Sequence, residues 1–301
     1  MKRLEVITRT LLFAGATLLF AACNSEVDVS STGKAKVGVT DAAIDAENIS
    51  GVYLKVNEVK AKGAASTKTV ATFDTPKTFN ILDYQNGSTF DLGEGELAAG
   101  PYSELRFILE EGSYVKFKDG STADLDVPSG TSSGYKIKGA FDIAADATTE
   151  VIADIDMRKA FVLTGNGQYK LRPTARMIDA SETSTIRGTI NNHNQDRVVV
   201  YAYAKGTYEQ SESAAPSDDE ATRFENSINS AVVSNGQFTL AYMPAGEYEL
   251  IAASYTKNES EETYDFKSAT VAEVFIGGNL LDILEVSANA DINVLIQADF
   301  E

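Results

Sequence analysis

The stretch Val151-Ile152-Ala153-Asp154-Ile155-Asp156-Met157 places apolar side chains at every odd-numbered position. In an extended chain these positions share one face, while Asp154 and Asp156 point from the other. A period of two predicts a half-buried β-strand. The same pattern predicts that the two aspartates belong to a solvent-exposed strand face.

Short runs of this kind, rich in Val, Ile, Tyr, Phe and Thr, recur along the 301 residues: 36–40, 52–56, 105–109, 114–117, 186–190, 198–203, 232–240, 248–253, 271–276 and 292–296. Between them, Asn-Gly or Asp-Gly pairs begin at Asn86, Asp119, Asn166 and Asn235. Such pairs suit tight hairpin turns, because both residues tolerate positive φ. Many short strands with frequent turns predict an all-β sandwich or barrel.

A polar break at 179–184 separates two such β patterns. We therefore expect two β-sandwich domains in tandem, at 35–181 and 182–301. Small helices are predicted near 80–84 and 222–228. The acidic, Ser-rich segment 209–221 has the composition of a long, mobile loop.

One short pattern occurs in both halves. Ala99-Gly100-Pro101-Tyr102 and Ala245-Gly246-Glu247-Tyr248 each precede an apolar run. A glycine turn of this kind delivers a tyrosine to the start of a strand. There the ring can pack and the hydroxyl can bond the backbone, which predicts a corner-fixing role.

The chain begins with Lys2 and Arg3, continues into an apolar run at 11–22, and reaches Cys23, its single cysteine. The apolar run is too short for a bilayer core, which needs about 20 residues. A basic start, a short apolar stretch and small residues before the cut are typical of a secretory signal. We expect a signal peptide at 1–22 and a polar tether at 23–34.

The position of Cys23 resembles a bacterial lipoprotein signal, which implies multiple acylation of its sulfur. One acyl chain binds a membrane only marginally, so stable anchoring needs more than one. The resemblance predicts attachment to the cell envelope, at the outer membrane, on its periplasmic or surface-exposed face. An ordinary cleaved signal with an unrelated cysteine is the alternative.

The chain carries a net charge of −18, and removal of residues 1–22 takes away three basic and one acidic residue. Nucleic acid is excluded as a partner, because its binding depends mostly on neutralising phosphates. A glycan or another envelope protein is the expected ligand class. An acidic surface can also gather divalent cations.

No catalytic residue is predicted. Gly130-Thr131-Ser132-Ser133-Gly134 matches the nucleophile-elbow pattern, but no helical pattern follows Ser132. The single histidine, His193, lies about 60 residues away in the other expected domain, within a polar turn. One histidine and one lipidated cysteine cannot form a His/Cys metal cluster.

Calcium is the one cofactor that the sequence leaves open. Asp119, Asp124 and Asp126 form the best local cluster of oxygen ligands, but EF-hand spacing is absent and a plain hairpin is the favoured alternative. Asp41, after an apolar run, is predicted to cap a turn, with a functional carboxylate as its alternative.

Residues 36–180 resemble the bacterial family called domain of unknown function 4382. The resemblance rests on Val37-Gly38-Val39-Thr40-Asp41-Ala42-Ala43, on Ala99–Phe107, and on short matches at Phe141-Asp142-Ile143 and Leu171-Arg172-Pro173. Ala43 departs from the family, which often has proline there. This family implies no known activity.

Residues 185–301 are similar to the transthyretin-like or carboxypeptidase-regulatory-like β-sandwich, through 186–190, 238–240 and 244–250. Such modules imply accessory or binding roles, and the combination resembles envelope proteins of the Bacteroidetes type. We therefore expect a lipid-anchored, non-enzymatic binding or scaffolding protein. A fimbria-like structural subunit is the alternative, and a carboxylate-based glycoside hydrolase the third interpretation.

Overall fold

The computed structural model describes residues 31–42, 49–191, 195–216, 222–259 and 263–300. Strands account for most of these residues and helices for very few, which confirms the all-β sandwich class. Two sheets draw their strands from 32–179 and two from 183–297. We call the first pair the N-terminal sandwich and the second the C-terminal sandwich. The signal, Cys23 and most of the predicted tether lie outside the described residues.

The N-terminal sandwich contains a four-stranded sheet, in the order β12-β9-β1-β4, and a larger sheet, in the order β10-β11-β7-β6-β2-β5-β8 with β3 beside β2. Strand β1 runs parallel to β9 and antiparallel to β4. The strands are β1 (Thr32–Ala42), β2 (Ile49–Gly63), β3 (Thr67–Asn80), β4 (Phe90–Ala98), β5 (Gly100–Leu109), β6 (Tyr114–Phe117), β7 (Thr122–Asp126), β8 (Tyr135–Ile143), β9 (Thr148–Asp156), β10 (Phe161–Leu163), β11 (Tyr169–Leu171) and β12 (Ala175–Asp179).

The core of this sandwich follows from the alternation. Odd-numbered residues of β1 and β9, such as Val37 and Val151, are fully buried in the same hydrophobic cluster as Leu105 and Phe107 of β5. Each buried side chain of this size contributes about 1.5–3 kcal/mol. One helical turn, α1 (Met157–Ala160), directly follows β9, and Asp156 caps its first turn.

The C-terminal sandwich pairs one sheet, in the order β16-β13-β22-β19-β20, with another, in the order β15-β14-β17-β18 with β21 beside β17. Strand β13 lies parallel to the last strand, β22. The strands are β13 (Thr183–Asn191), β14 (Arg197–Ala204), β15 (Asn229–Val232), β16 (Gln237–Pro244), β17 (Gly246–Asn258), β18 (Thr263–Val271), β19 (Glu273–Ile276), β20 (Asn279–Leu281), β21 (Leu284–Val286) and β22 (Asp291–Gln297).

Both faces of the β14–β17 sheet are apolar. Its inner face packs against the partner sheet, and its outer face carries a second cluster centred on Tyr201, Tyr203 and Tyr255. Phe224 covers that outer face, fully buried, with its ring 4.2 Å from Tyr201. In the described part of segment 209–221, Gln210–Ser213 forms a 3-10 helix and Ser213 is buried, while the mobility of this segment stays a prediction.

The anchoring contact of that segment is Glu212, which lies in the 3-10 helix Gln210–Ser213. Its carboxylate accepts hydrogen bonds from the Tyr203 hydroxyl at 2.8 Å and from the backbone N–H of Asn226 at 2.9 Å. The aromatic side chains on the outer face of the sheet are buried by residues that pack over them. The amino-acid composition of segment 209–221 alone did not predict this packing. Residues 217–221 lie outside the described part.

The predicted corner-fixing roles of Tyr102 and Tyr248 are both confirmed. The Tyr102 hydroxyl donates to the carbonyl of Ala98 at 3.1 Å, and the Tyr248 hydroxyl donates to the carbonyl of Pro244 at 2.7 Å. Each bond reaches back four residues across the glycine turn. The two sandwiches therefore fix a strand start with the same local contact.

Turns and short helices were predicted with mixed success. The Asn235-Gly236 pair has φ values of 51° and 74° and joins β15 to β16. The run 232–240 is thus two strands rather than one. A 3-10 helix, Ile81–Asp83, confirms the predicted short helix near 80–84. Residues 223–226 form a turn, so the helix expected at 222–228 was wrong.

Candidate functional site

The two sandwiches touch along a surface that we call the junction. From the N-terminal sandwich it includes Arg158 and the Asn86-Gly87 turn, and from the C-terminal sandwich it includes Tyr201, Ser227 and Ala241. The contact at Gly87 is close, because a Cβ there would lie 3.0 Å from that of Ala241. The junction brings together polar groups that are far apart in the sequence.

Asp154 and Asp156 lie at the junction and are not solvent-exposed, which corrects the prediction made from the alternation. Asp154 is 5% exposed and accepts hydrogen bonds from Arg176 Nη2 at 2.7 Å and Nε at 3.2 Å. Burial raises the pKa of the Asp154 carboxyl despite that arginine. The polar face of β9 is covered because residues of the C-terminal sandwich lie over it.

Arg158 crosses the junction. Its side chain is 5% exposed and makes a two-point ion pair with Asp156, with Nε–Oδ1 at 3.0 Å and Nη2–Oδ2 at 2.7 Å. Nη2 also donates to the Ser227 hydroxyl at 3.1 Å, and the guanidinium lies 5.2 Å from the Tyr201 ring centre. Burial acts against the charge, but Asp156 holds the pKa of Arg158 above its ordinary value.

Asp41, at the end of β1, is 5% exposed. It accepts hydrogen bonds from Gln85 Nε2 at 3.1 Å and from the Met157 backbone N–H at 3.2 Å. These neutral donors do not compensate its burial, which raises the pKa of the Asp41 carboxyl well above its usual range. Asp41 therefore holds the start of α1 against β1, whereas residues 43–48, where a turn capped by Asp41 would lie, are outside the described residues.

A small cavity of about 10 Å³, the junction cavity, lies between the sandwiches. Its volume is about that of one water molecule. The carboxylates beside it are consequently out of reach of a polysaccharide chain. It is lined by Thr40, Asp41, Asn86, Gly87, Asp154, Asn229, Ser230, Thr239, Ala241 and Tyr242.

A larger depression of about 400 Å³ lies on the C-terminal sandwich, and we call it the groove. The strands β13, β16, β22 and β19 form its floor and walls, and the glycines of the β19–β20 hairpin border it. Its volume falls within the range of roughly 300–1,000 Å³ that is typical of small-molecule sites. The lining residues are Arg187, Gly188, Thr189, Gln237, Phe238, Thr239, Phe275, Gly277, Gly278, Asn293, Val294 and Leu295.

The polar groups of the groove are neutral amides and hydroxyls, with one exception. Arg187 is 53% exposed and pairs with Asp291 at 2.5 Å, so its charge is balanced by a neighbour on β22. Phe275 supplies an aromatic wall that is only partly buried. No signal in the sequence pointed to this set, because four strands far apart in the chain contribute to it.

The calcium candidates do not converge. Asp119 is occupied within its own hairpin turn, where it accepts hydrogen bonds from the Ser121 hydroxyl at 2.6 Å and from its backbone N–H at 2.9 Å. Asp124 and Asp126 are exposed on β7, and Asp126 lies 4.0 Å from Lys170. Within the described ranges, no group of three or more His, Cys, Asp or Glu residues is arranged to hold a metal ion.

Ser132 lies in an exposed turn, and its hydroxyl donates to the Ser129 carbonyl at 3.3 Å. Strand β8 follows, so the strand-to-helix turn of a nucleophile elbow is missing at this position. His193 and Cys23 lie outside the described residues. Across the part of the chain that the structure covers, no helix has the length and apolar character needed to cross a bilayer.

Residues 32–173 match the family model described as "Domain of unknown function (DUF4382)". The match covers just under half of the chain and supports the resemblance drawn from the motifs of the N-terminal sandwich. No curated protein matches the sequence. The chain is thus defined as an all-β, two-sandwich protein whose N-terminal part is similar to this family.

Similar solved structures include the Bacillus anthracis TIE protein, with 11% identity over 89% of this chain and a TM-score of 0.20. The chain spans only 34% of that protein. BcpA, the major pilin subunit of Bacillus cereus, has 9% identity, coverage of 90% and 71%, and a TM-score of 0.23. A DUF3823 family protein from Bacteroides ovatus has 11% identity, coverage of 79% and 97%, and a TM-score of 0.17. These scores are too low for a property to be carried over.

Proposed function

We propose that the protein is a lipid-anchored cell-envelope protein. It binds a ligand in the groove of its C-terminal sandwich and does not catalyse a reaction. The groove itself is the observation that supports this function, because it is open, of small-molecule size and lined by a few polar groups around an aromatic wall. The glycosidase alternative gains no support there, since no carboxylate lines the groove.

A neutral glycan is the ligand class that best fits the groove. Arg187 is balanced by Asp291, and Gln237, Asn293 and the threonines offer uncharged donors and acceptors to hydroxyl groups. Phe275 can pack against the apolar face of a sugar ring. The net charge of −18 disfavours anionic ligands.

We expect Asn293→Ala to weaken glycan binding at least tenfold, because an amide that bonds ligand hydroxyls would be lost from the groove floor. Such a loss corresponds to about 1.4 kcal/mol, the size of one hydrogen bond. The purified full-length protein in detergent would be screened on an array of neutral oligosaccharides. The best binder would then be titrated calorimetrically.

Lys34→Ala is a suitable control, because Lys34 belongs to an exposed ion pair with Glu94 on the N-terminal sandwich. It should leave the affinity unchanged. The groove assignment would be abandoned if Asn293→Ala and Lys34→Ala behaved alike. Binding of an envelope protein instead of any sugar would change the ligand class and keep the groove.

The anchor is tested separately, at Cys23. We expect Cys23→Ala to abolish metabolic labelling of the protein with a fatty acid and to release it from membranes, since no other cysteine can carry the lipid. Labelling, together with fractionation of inner and outer membranes, measures both effects. Ser25→Ala in the adjacent tether is the control. Continued membrane retention of Cys23→Ala would refute the anchor.

A further inference from the structure

The junction cavity combines a negative charge with an unsatisfied hydroxyl. Asp41 is buried, and its hydrogen-bond donors, Gln85 Nε2 and the Met157 backbone N–H, are neutral. Asp154 lines the same cavity, and its negative charge is balanced by an ion pair with Arg176. The carboxylate of Asp41 therefore has no cation beside it among the described residues. An ionised carboxylate in such a place needs a counter-charge.

Ser230 supplies an independent observation. It is 5% exposed, it lines the junction cavity, and its Oγ is buried without a hydrogen-bond partner in the described structure. Buried hydroxyls normally find a partner, so each exception demands an explanation. A species inside the cavity would supply that partner.

The lining of the cavity specifies the chemistry of such a species. Most of the lining side chains carry an oxygen atom, and no lysine, arginine or histidine is among them. Carboxylates, amide carbonyls and hydroxyls are the ligands of hard cations. A volume of about 10 Å³ admits one bound particle and leaves no room for a hydration shell.

We propose that the junction cavity binds one hard metal cation, Ca²⁺ or Na⁺, through the carboxylates of Asp41 and Asp154 and the hydroxyl of Ser230. The cation neutralises Asp41, satisfies Ser230 and links the two sandwiches. Mg²⁺ is a poor occupant, since it dehydrates reluctantly and usually keeps several waters. This site is independent of the proposed groove function and of the exposed Asp119 hairpin.

The test uses the full-length protein in detergent, stripped of divalent ions with a chelator and exchanged into choline chloride. Addition of CaCl₂ or NaCl at about 100 times the dissociation constant should raise the unfolding midpoint by roughly 5 °C. Calorimetry should give one saturable site. Asp41→Asn and Ser230→Ala should each reduce the affinity at least tenfold, whereas the control Asp119→Asn should leave it unchanged.

The pH dependence of stability distinguishes two ways of neutralising the Asp41 carboxylate, by a bound metal cation or by a proton. Since burial raises the pKa of Asp41, the stability that it contributes is present below about pH 4 and is lost as the pH rises through the folded-state value. In choline buffer the wild type should therefore lose stability relative to Asp41→Asn as the pH rises. The wild type and the Asp41→Asn variant share the neighbouring charged residues Asp154, Asp156, Arg158 and Arg176. A difference in stability between them therefore reports on Asp41.

Added cation should reverse that loss in the wild type at pH 8 and leave Asp41→Asn unaffected. If neither CaCl₂ nor NaCl reverses it, a proton and a water molecule fill the roles assigned to the cation, and the proposal is overturned. Saturable binding that survives Asp41→Asn but disappears in Asp119→Asn would also overturn it, by placing the cation at the surface hairpin.

Discussion

Replacement of Arg158 by alanine is expected to lower the free energy of unfolding by about 3–5 kcal/mol. The reason is the buried partner that it leaves behind. Asp156 is 15% exposed, and its next cation, Lys159, lies 3.4 Å away as a single contact. Removal of the guanidinium also takes away the bond to Ser227 and the contact with the Tyr201 ring, both across the junction.

The measurement is urea unfolding of the full-length protein in detergent at pH 7. Arg187→Ala is the matched control, because it removes an arginine from an exposed ion pair, for which a loss of about 0–1 kcal/mol is expected. Arg158→Lys should recover only part of the loss, since an ammonium cannot reproduce the two-point geometry. Equal losses for Arg158→Ala and Arg187→Ala would show that the junction does not depend on this residue.

A polar junction of this kind has a structural consequence. Ion pairs taken out of water are often no more stabilising than apolar contacts of the same size, but their geometry tolerates few alternatives. Arg158 is paired with Asp156 within its own sandwich, and it reaches the Ser227 hydroxyl and the Tyr201 ring only if the two sandwiches meet in one way. We infer that the pairing of the sandwiches is selected by this directional network.

The alternation of side chains identified strands wherever one face is apolar and the other polar. It correctly located β6 at 114–117, and it located most of β14 and about half of β1 and β5. It missed several strands, including β3, β4, β7, β8 and β18. Strand β3 is mostly exposed and has few apolar residues on a regular face, so its sequence lacks the contrast on which the prediction depends.

The local tyrosine devices were predictable because every atom involved lies within five residues. The site was not. Asp154 and Asp156 alternate with apolar residues just as solvated aspartates do, and only the placement of Arg158, Arg176 and the C-terminal sandwich shows that they are buried. A polar position in a strand therefore indicates a polar environment, which can be solvent or a second domain.

The groove was even harder to predict from the sequence than the junction. Arg187 and Asn293 are 106 residues apart, and they become neighbours because β13 and β22 pair in parallel. Parallel pairing of the first and last strands of a unit leaves no local turn signal. The part of the surface that we propose to be functional is thus created by topology.

The second large effect is expected at Gly95, where alanine should cost about 3 kcal/mol of stability. Gly95 lies on β4, at the edge of the four-stranded sheet, and β3 of the opposite sheet crosses beside it. A Cβ at Gly95 would lie 1.9 Å from the carbonyl oxygen of Val70 and 2.8 Å from its carbonyl carbon. Both atoms are backbone, so no side chain can rotate away, and the two sheets would have to separate along this edge.

Gly165→Ala is the control, because a Cβ there meets nothing within 4 Å and its backbone conformation is open to any residue. That substitution should be neutral or stabilising by about 0.4–1 kcal/mol, through the lower entropy of the unfolded chain. Thermal and urea unfolding of the two variants would measure the difference directly. A Gly95→Ala protein as stable as Gly165→Ala would mean that β3 and β4 can separate freely. The close approach of the two sheets would then contribute nothing to the N-terminal sandwich.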